Sequence, residues 1–230
     1  MMVALAGCLA MFLVWRIFTR HTPWPQRFLN IVSRIAGAKV RVVGRPLSRR
    51  MIILANHVSW LDIPVLGGIT GTAFVAHSGL QASRLLTWLC GLNDTVFITR
   101  HQRRSVHGQV DQVRTALADM GALTIFPEGT TSDGTALLPF KSSLLSALEP
   151  APEDIVVQPV WLDYGPDSAA MAWFGNESGL TNALRLLARS ELLPVTVHFL
   201  EPFVPAEAGC RKAMASLTQE RILAAMKLAL

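Results

Sequence analysis

His57 and Asp62 are the residues of this sequence whose types and spacing suit acid–base chemistry. They stand in the run 56–62, Asn-His-Val-Ser-Trp-Leu-Asp, directly after the apolar residues 51–55. If the turn between them begins a helix, the carboxylate can accept one imidazole N–H, which fixes the tautomer and leaves the other nitrogen as a base near neutral pH. A structural or surface histidine and a helix-capping aspartate are the alternatives, and spacing alone leaves them open.

A second candidate group lies in residues 126–134, Phe-Pro-Glu-Gly-Thr-Thr-Ser-Asp-Gly, again where an apolar run ends. Gly129 permits a close approach of the backbone to a ligand, while the Glu128 carboxylate and the Thr130 hydroxyl can hydrogen-bond a polar substrate group. Between the two groups, another apolar run ends on the cation Arg100. A plain glycine-rich turn is the alternative for the second group.

Strands and helices alternate along the chain from Lys39 onward. Apolar and β-branched runs predict strands over 39–43, 51–55, 73–76, 95–99, 123–126, 155–161 and 195–199. Amphipathic spacing predicts helices from about residue 61 and over 85–92, 105–120 and 211–230. The alternation predicts an α/β fold with a mixed, mostly parallel sheet covered by helices, in a domain of residues 38–230. Ligands of such sheets bind at the carboxyl ends of the strands, where the candidate residues lie.

The basic charge of the chain is concentrated at its N-terminus. The formal net charge is +5, yet residues 1–50 carry nine Lys and Arg and no Asp or Glu. Leu, Phe, Ile, Val and Trp separate these charges, which favours an anionic membrane surface over nucleic acid as the partner. The composition, 51% hydrophobic and 16% charged, excludes a disordered chain and a coiled coil. Three distant cysteines offer neither a disulfide framework nor a zinc site.

Residues 1–37 are predicted to form a membrane-docking helix pair. Residues 1–15 are apolar and uncharged, but at 1.5 Å per residue they are too short for a hydrocarbon core of about 30 Å. Residues 26–36 predict a second helix with an apolar stripe opposite its arginines, and an ordinary core-packing helix is the alternative. The arginines after the first helix place the main domain on the cytoplasmic side of an inner membrane.

In these blocks the sequence resembles the glycerolipid acyltransferases, in particular the 1-acyl-sn-glycerol-3-phosphate acyltransferases. The family's first block is matched by Asn56, His57, Ser59 and Asp62. Its second block ends on an Arg, as residues 96–100 do, its third is matched by Phe-Pro-Glu-Gly-Thr at 126–130, and its fourth is similar to 157–161. The resemblance covers roughly residues 38–205.

The resemblance implies direct acyl transfer from a thioester to a hydroxyl. His57 would remove the hydroxyl proton, and Asp62 would orient and stabilise the imidazolium. Glu128, Gly129 and Thr130 would hold the polar head of the acceptor, and Arg100 would answer an anionic group on it. The donor, acyl-CoA or acyl carrier protein, is already activated, so neither a cofactor nor a metal is expected. A metal hydrolase that uses His57, Asp62 and Glu128 is the rival enzyme class.

Two departures from the family pattern bear on the acceptor. Thr131 stands where the third block usually continues with Arg, and His77 where the family often has Lys. Thr131 cannot offer the bidentate recognition of phosphate that a guanidinium provides. Residues 131–134 and 138–141 are more similar to the lyso-ornithine-lipid acyltransferase branch. The first expectation is transfer to 1-acyl-sn-glycerol-3-phosphate to give phosphatidic acid; lyso-ornithine lipid is the alternative acceptor, and a noncatalytic lipid-binding protein is a distant alternative.

Overall fold

The protein is described here from a computed structural model, which covers residues 7–8, 10–15, 23–47, 50–77, 91, 95–98, 115–117, 119, 121–149 and 155–229. Within this part of the chain, seven strands form one sheet: β1 Ala38–Val43, β2 Met51–Ala55, β3 Ala73–His77, β4 Val96–Ile98, β5 Ala122–Ile125, β6 Val156–Asp163 and β7 Leu193–Phe199. Their order across the sheet is β1-β7-β6-β2-β5-β3-β4. The β6–β7 pair is antiparallel and the others are parallel. The predicted mixed, mostly parallel sheet is confirmed.

The helices flank this sheet and its connections. They are α1 Trp24–Ile35, α2 Asp62–Thr70, α3 Ser168–Met171, α4 Gly179–Leu187, α5 Pro205–Ala208 and α6 Arg211–Ala229, with 3₁₀ turns at Ser142–Leu148 and Gly165–Asp167. Residues 7–8, 10–15, 115–117 and 119 are also helical. The predicted helices over 85–92 and 105–120 lie largely outside the described residues. Helix α4 was not predicted, although Ser178 caps it by accepting a hydrogen bond from the Thr181 amide at 3.1 Å.

Strand β2 lies inside the sheet and is buried on both faces. Alternate residues of the strand enter two separate apolar clusters, with Ile53 in one and Ile52 in the other. The first cluster includes side chains of α2, and the second includes side chains of α6 and of the 3₁₀ turn at Ser142–Leu148. This double burial fixes the register of β2 and therefore the place where its carboxyl end delivers residue 56.

Strand β6 runs further than the sequence indicates. It was predicted to end at residue 161 and instead ends at Asp163. The extension pairs with the antiparallel neighbour β7, where Asp163 lies opposite Thr196. The longer strand carries the chain past the end of β2 and towards the first candidate group.

Helix α1 packs closely on α2. The Gln26 side chain donates to the Ile69 carbonyl at 3.1 Å, and a Cβ atom placed on Gly68 would lie 2.9 Å from the Asn30 backbone. The glycine is therefore needed for this approach. On the outer side of α1, Arg34 and Ile35 are exposed. Among the helices that the structure describes, none combines the length and the apolar character needed to cross a bilayer.

Candidate active site

The first loop, residues 56–62, brings the predicted base and acid into contact. The His57 Nδ1 atom lies 2.7 Å from the Asp62 Oδ2 atom; the histidine side chain is 16% exposed and the aspartate side chain is fully buried. The imidazole stacks on Phe126, with ring centroids 4.1 Å apart and planes within 13°. A buried carboxylate at Nδ1 fixes the tautomer in which Nε2 is the basic nitrogen, and the aromatic ring fixes the plane of the imidazole.

The Asp62 carboxylate is hydrogen-bonded through both oxygens. Besides His57, the Oδ2 atom accepts from the amides of Val58 at 2.7 Å and Ser59 at 2.9 Å. The Oδ1 atom accepts from the Tyr164 hydroxyl. The amides belong to the loop before α2, so the side chain does not cap the helix that it begins. Four donors compensate the burial of the charge and favour the carboxylate form.

The second loop, residues 126–135, holds the backbone of the histidine on both sides. The Glu128 Oε1 atom accepts from the His57 amide at 2.9 Å. The Ser132 amide donates to the His57 carbonyl at 2.7 Å. Because both backbone groups of His57 are fixed by one neighbouring loop, the imidazole is carried on a rigid support.

Glu128 is a buried acid whose carboxylate faces backbone amides. It is 1% exposed, and its Oε2 atom accepts from the Leu138 amide at 3.3 Å. Burial raises the pKa of Glu128 to about 7, although the amides of His57 and Leu138 oppose the shift. The following Gly129 has a φ of +68°, which turns the chain outward, and Thr130 is exposed.

Trp173 connects the two loops from a third segment of the chain. Its amide donates to the Val58 carbonyl at 2.9 Å, and its carbonyl accepts from the Thr131 hydroxyl. The indole N–H donates to the Glu177 carbonyl at 2.8 Å. Thr131, the residue that stands in place of the family's Arg, thus supports the loop that supports His57.

A cavity of about 240 Å³ lies against both loops. It is lined by Asn56, Val58, Glu128, Ser132, Gly134, Thr135, Ala136, Leu137, Trp161, Leu162, Asp163, Gly165, Ser168, Met226 and Ala229. The lining holds two carboxylates, Glu128 and Asp163, and no Lys or Arg. Among the residues that the structure describes, no group of three or more His, Cys, Asp or Glu is arranged to hold a metal ion.

Comparison with known proteins places this geometry in a family. The acyltransferase family model matches residues 39–163, a span that contains both loops. The chain belongs to the acyltransferase family. It is 34% identical to the lyso-ornithine lipid O-acyltransferase of Rhizobium meliloti over 86% of this chain and 73% of the relative. It is also 30% identical to the 1-acyl-sn-glycerol-3-phosphate acyltransferase of Neisseria gonorrhoeae over 79% of this chain and 72% of the relative.

The fold of this acyltransferase is also that of a solved relative. The crystal structure of the 1-acyl-sn-glycerophosphate acyltransferase from Thermotoga maritima superposes with a TM-score of 0.64, at 21% identity, over 96% of this chain and 88% of that one. The resemblance that the sequence motifs indicated is confirmed, and the protein is an acyltransferase enzyme.

The structure brings together five of the six predicted site residues of the acyltransferase. They are His57 and Asp62 in the first loop and Glu128, Gly129 and Thr130 in the second. Arg100 lies outside the described residues, so its predicted contact with the acceptor stays a prediction. The sequence analysis missed Tyr164 because it ended the preceding strand at residue 161. A single tyrosine close behind that strand was the signal available.

Proposed function

We propose that this acyltransferase transfers a fatty acyl group from a thioester to the free hydroxyl of a lyso-lipid, and that lyso-ornithine lipid is the acceptor. The observation that carries the reaction is the contact of 2.7 Å between His57 and the buried Asp62. It leaves Nε2 as the nitrogen that takes a hydroxyl proton. Either acyl-CoA or acyl carrier protein supplies the thioester.

The reaction needs one proton carrier and no covalent enzyme intermediate. His57 Nε2 removes the hydroxyl proton while the hydroxyl oxygen attacks the thioester carbonyl carbon. The tetrahedral intermediate then collapses, the C–S bond breaks, and the departing thiolate takes the proton back from the imidazolium. The products are the acylated lipid and a free thiol. Asp62 stabilises the imidazolium between the two proton transfers.

Two observations support lyso-ornithine lipid as the acceptor. The Thr131 hydroxyl is committed to the Trp173 carbonyl, and it brings no cation for a phosphate monoester, which is held best by two or more charge-assisted hydrogen bonds. In addition, lyso-ornithine lipid O-acyltransferases of Rhizobium meliloti and Pseudomonas aeruginosa are both 34% identical to this chain. Glu128, Gly129 and Thr130 are proposed to line the place of the polar head.

1-Acyl-sn-glycerol-3-phosphate, the first expectation from the sequence, is the second candidate acceptor. The relative from Neisseria gonorrhoeae, at 30% identity, favours it. Assay of both acceptors with the purified full chain, in mixed micelles and with each thioester donor, decides between them. A preference of tenfold or more for lyso-ornithine lipid is expected, which corresponds to about 1.4 kcal/mol. A preference for the phosphate acceptor would overturn the choice of head group.

The N-terminal segment 1–37 is proposed to dock the enzyme on the cytoplasmic side of the inner membrane. Its basic charge is interleaved with apolar residues, of which Leu13 and Val14 are exposed. Replacement of both by Gln in the full chain is expected to lower binding to anionic vesicles, while Leu228→Gln, at an exposed position in α6, is the matched control. Equal vesicle binding by all three proteins would contradict the docking role.

A further inference from the structure

Tyr164 contacts the catalytic acid on the side away from the histidine. It is 1% exposed, and its hydroxyl donates to the Oδ1 atom of Asp62. His57 and two backbone amides use the other oxygen, Oδ2. The tyrosine therefore acts on the carboxylate without competing with the imidazole.

The sheet itself carries Tyr164 to this place. Strands β2 and β6 are parallel, with Ala55 opposite Val160. Beyond the end of β2, the Asn56 side chain continues the pairing: its Oδ1 atom accepts from the Leu162 amide at 2.7 Å and its Nδ2 atom donates to the Leu162 carbonyl at 3.0 Å. Tyr164 follows two residues later, so the same clamp that starts the first loop sets the position of the tyrosine.

The Tyr164 hydroxyl is a permanent donor. Burial and the neighbouring Asp62 charge raise its pKa well above the ordinary value, so the oxygen keeps its proton throughout the working pH range. A hydroxyl that donates to a carboxylate withdraws part of its negative charge. A carboxylate with less charge holds the proton of a neighbouring imidazolium less tightly.

We infer that Tyr164 is a positioning residue for the general base: it orients Asp62 and limits how strongly Asp62 retains the proton on His57. The inference rests on the proposed function, in which His57 must return its proton to the departing thiolate. Besides Tyr164, the titratable groups that face the pair are Asp62 itself, on α2, and Glu128 in the second loop. Lys141 acts on Glu128 from the chain that follows.

The Tyr164→Phe variant removes the hydroxyl and keeps the ring. We expect kcat to fall by about tenfold, as for the loss of one hydrogen bond to a charged group, and the acidic limb of the kcat/KM profile to move to higher pH. Thr218→Val is the matched control, because the buried Thr218 hydroxyl donates to the Met214 carbonyl at 2.8 Å inside α6. Unchanged kcat and an unchanged pH profile in Tyr164→Phe would overturn the inference.

A second measurement needs no substrate and no substitution of the tyrosine. Tyr164 is the only tyrosine of the chain, so tyrosine labelled with ¹³C at Cζ gives one resonance in the full-length protein. We expect this resonance to titrate between about pH 5 and 8, to keep the titration in Glu128→Gln and to lose it in His57→Ala. A resonance that stays flat, or that loses its titration in Glu128→Gln, would overturn the inference. Titration in an enzyme inactive on lyso-ornithine lipid would support Tyr164 and reject only the acceptor.

Discussion

The two loops at the carboxyl ends of β2 and β5 use buried acids in different ways. In the first loop, Asp62 is fully buried and accepts hydrogen bonds from His57, Val58, Ser59 and Tyr164. In the second loop, Glu128 is almost as buried, and its two oxygens accept from backbone amides. One acid serves a side chain that reacts, and the other serves the backbone that carries that side chain.

The number of donors explains why the two acids differ electrostatically. Burial alone disfavours a charged carboxylate, and each donor restores part of the lost solvation. Two amides leave the pKa of Glu128 at about 7, whereas four donors around Asp62 favour its charged form. We therefore expect substitutions in the first loop to affect the chemical step, and substitutions in the second loop to affect stability and selectivity.

His57→Ala is expected to have the largest effect. Without the base the proposed reaction loses general-base catalysis, so kcat should fall by about 10²–10⁴-fold. The fold should persist because the second loop holds the backbone of residue 57 and not its ring. Steady-state kinetics together with a thermal unfolding curve check this, and near wild-type turnover by the folded variant would reject the mechanism.

Asp62→Asn should be the next most severe change, with kcat lower by about 10²–10³-fold. The amide can still accept from the Val58 and Ser59 amides, but it carries no charge to stabilise the imidazolium. If its NH₂ group instead faces Nδ1, the wrong tautomer is favoured. Comparison of kcat at saturating acceptor tests this, and a change confined to KM would show that Asp62 acts in binding.

The first loop was predictable because its chemistry is local in sequence. His57 and Asp62 lie five residues apart, and one turn between an apolar strand and a helix brings them together. The strands of the sheet were predictable for a similar reason, since short apolar runs between turns record burial on both faces. The family resemblance of the motifs then linked the two loops.

The supporting contacts were not predictable, because they join residues far apart in the chain. Asn56 contacts Leu162 across 106 residues, and Glu128 contacts the His57 amide across 71. Sequence analysis therefore assigned Glu128 to the acceptor on the basis of residue type, while the structure shows its carboxylate on backbone amides. The role of Tyr164 likewise depends on the last residues of β6, whose pairing with β7 no local pattern records.

Glu128→Gln should change stability more distinctively than activity. Gln can accept from the His57 amide, but its NH₂ group cannot accept from Leu138, so we expect kcat to fall by about tenfold or less. The pKa of Glu128 rises from 4.5 to about 7 on folding, so the folded state binds the proton more tightly. Its stabilising contribution, about 3 kcal/mol, is complete below pH 4.5 and is lost as the pH rises through about 7.

Urea unfolding of both proteins across that pH range tests the assignment. The free energy of unfolding of the wild type, relative to Glu128→Gln, should decrease as the pH rises. Glu149→Gln is the control, because Glu149 is an exposed acid paired with Arg211. A wild-type-to-Gln difference that stays constant with pH would show that Glu128 does not bind a proton on folding in this range.

Thr131→Arg should have the smallest effect, and it concerns selectivity. A guanidinium restored at this position adds one charge-assisted, bidentate partner for a phosphate. We expect the ratio of kcat/KM for 1-acyl-sn-glycerol-3-phosphate over lyso-ornithine lipid to rise by about tenfold, equivalent to about 1.4 kcal/mol. Both acceptors should be measured in the same micelles with the same donor.

Thr131→Val separates the new charge from the lost contact. Either substitution removes the hydrogen bond to the Trp173 carbonyl, which connects the second loop to the segment that also holds Val58, so both should lower turnover on every acceptor alike. Only the Arg variant should change the ratio, because a loosened loop does not distinguish a phosphate from an ornithine head. Equal ratios in the two variants would remove residue 131 from acceptor recognition and leave it as part of the support for His57.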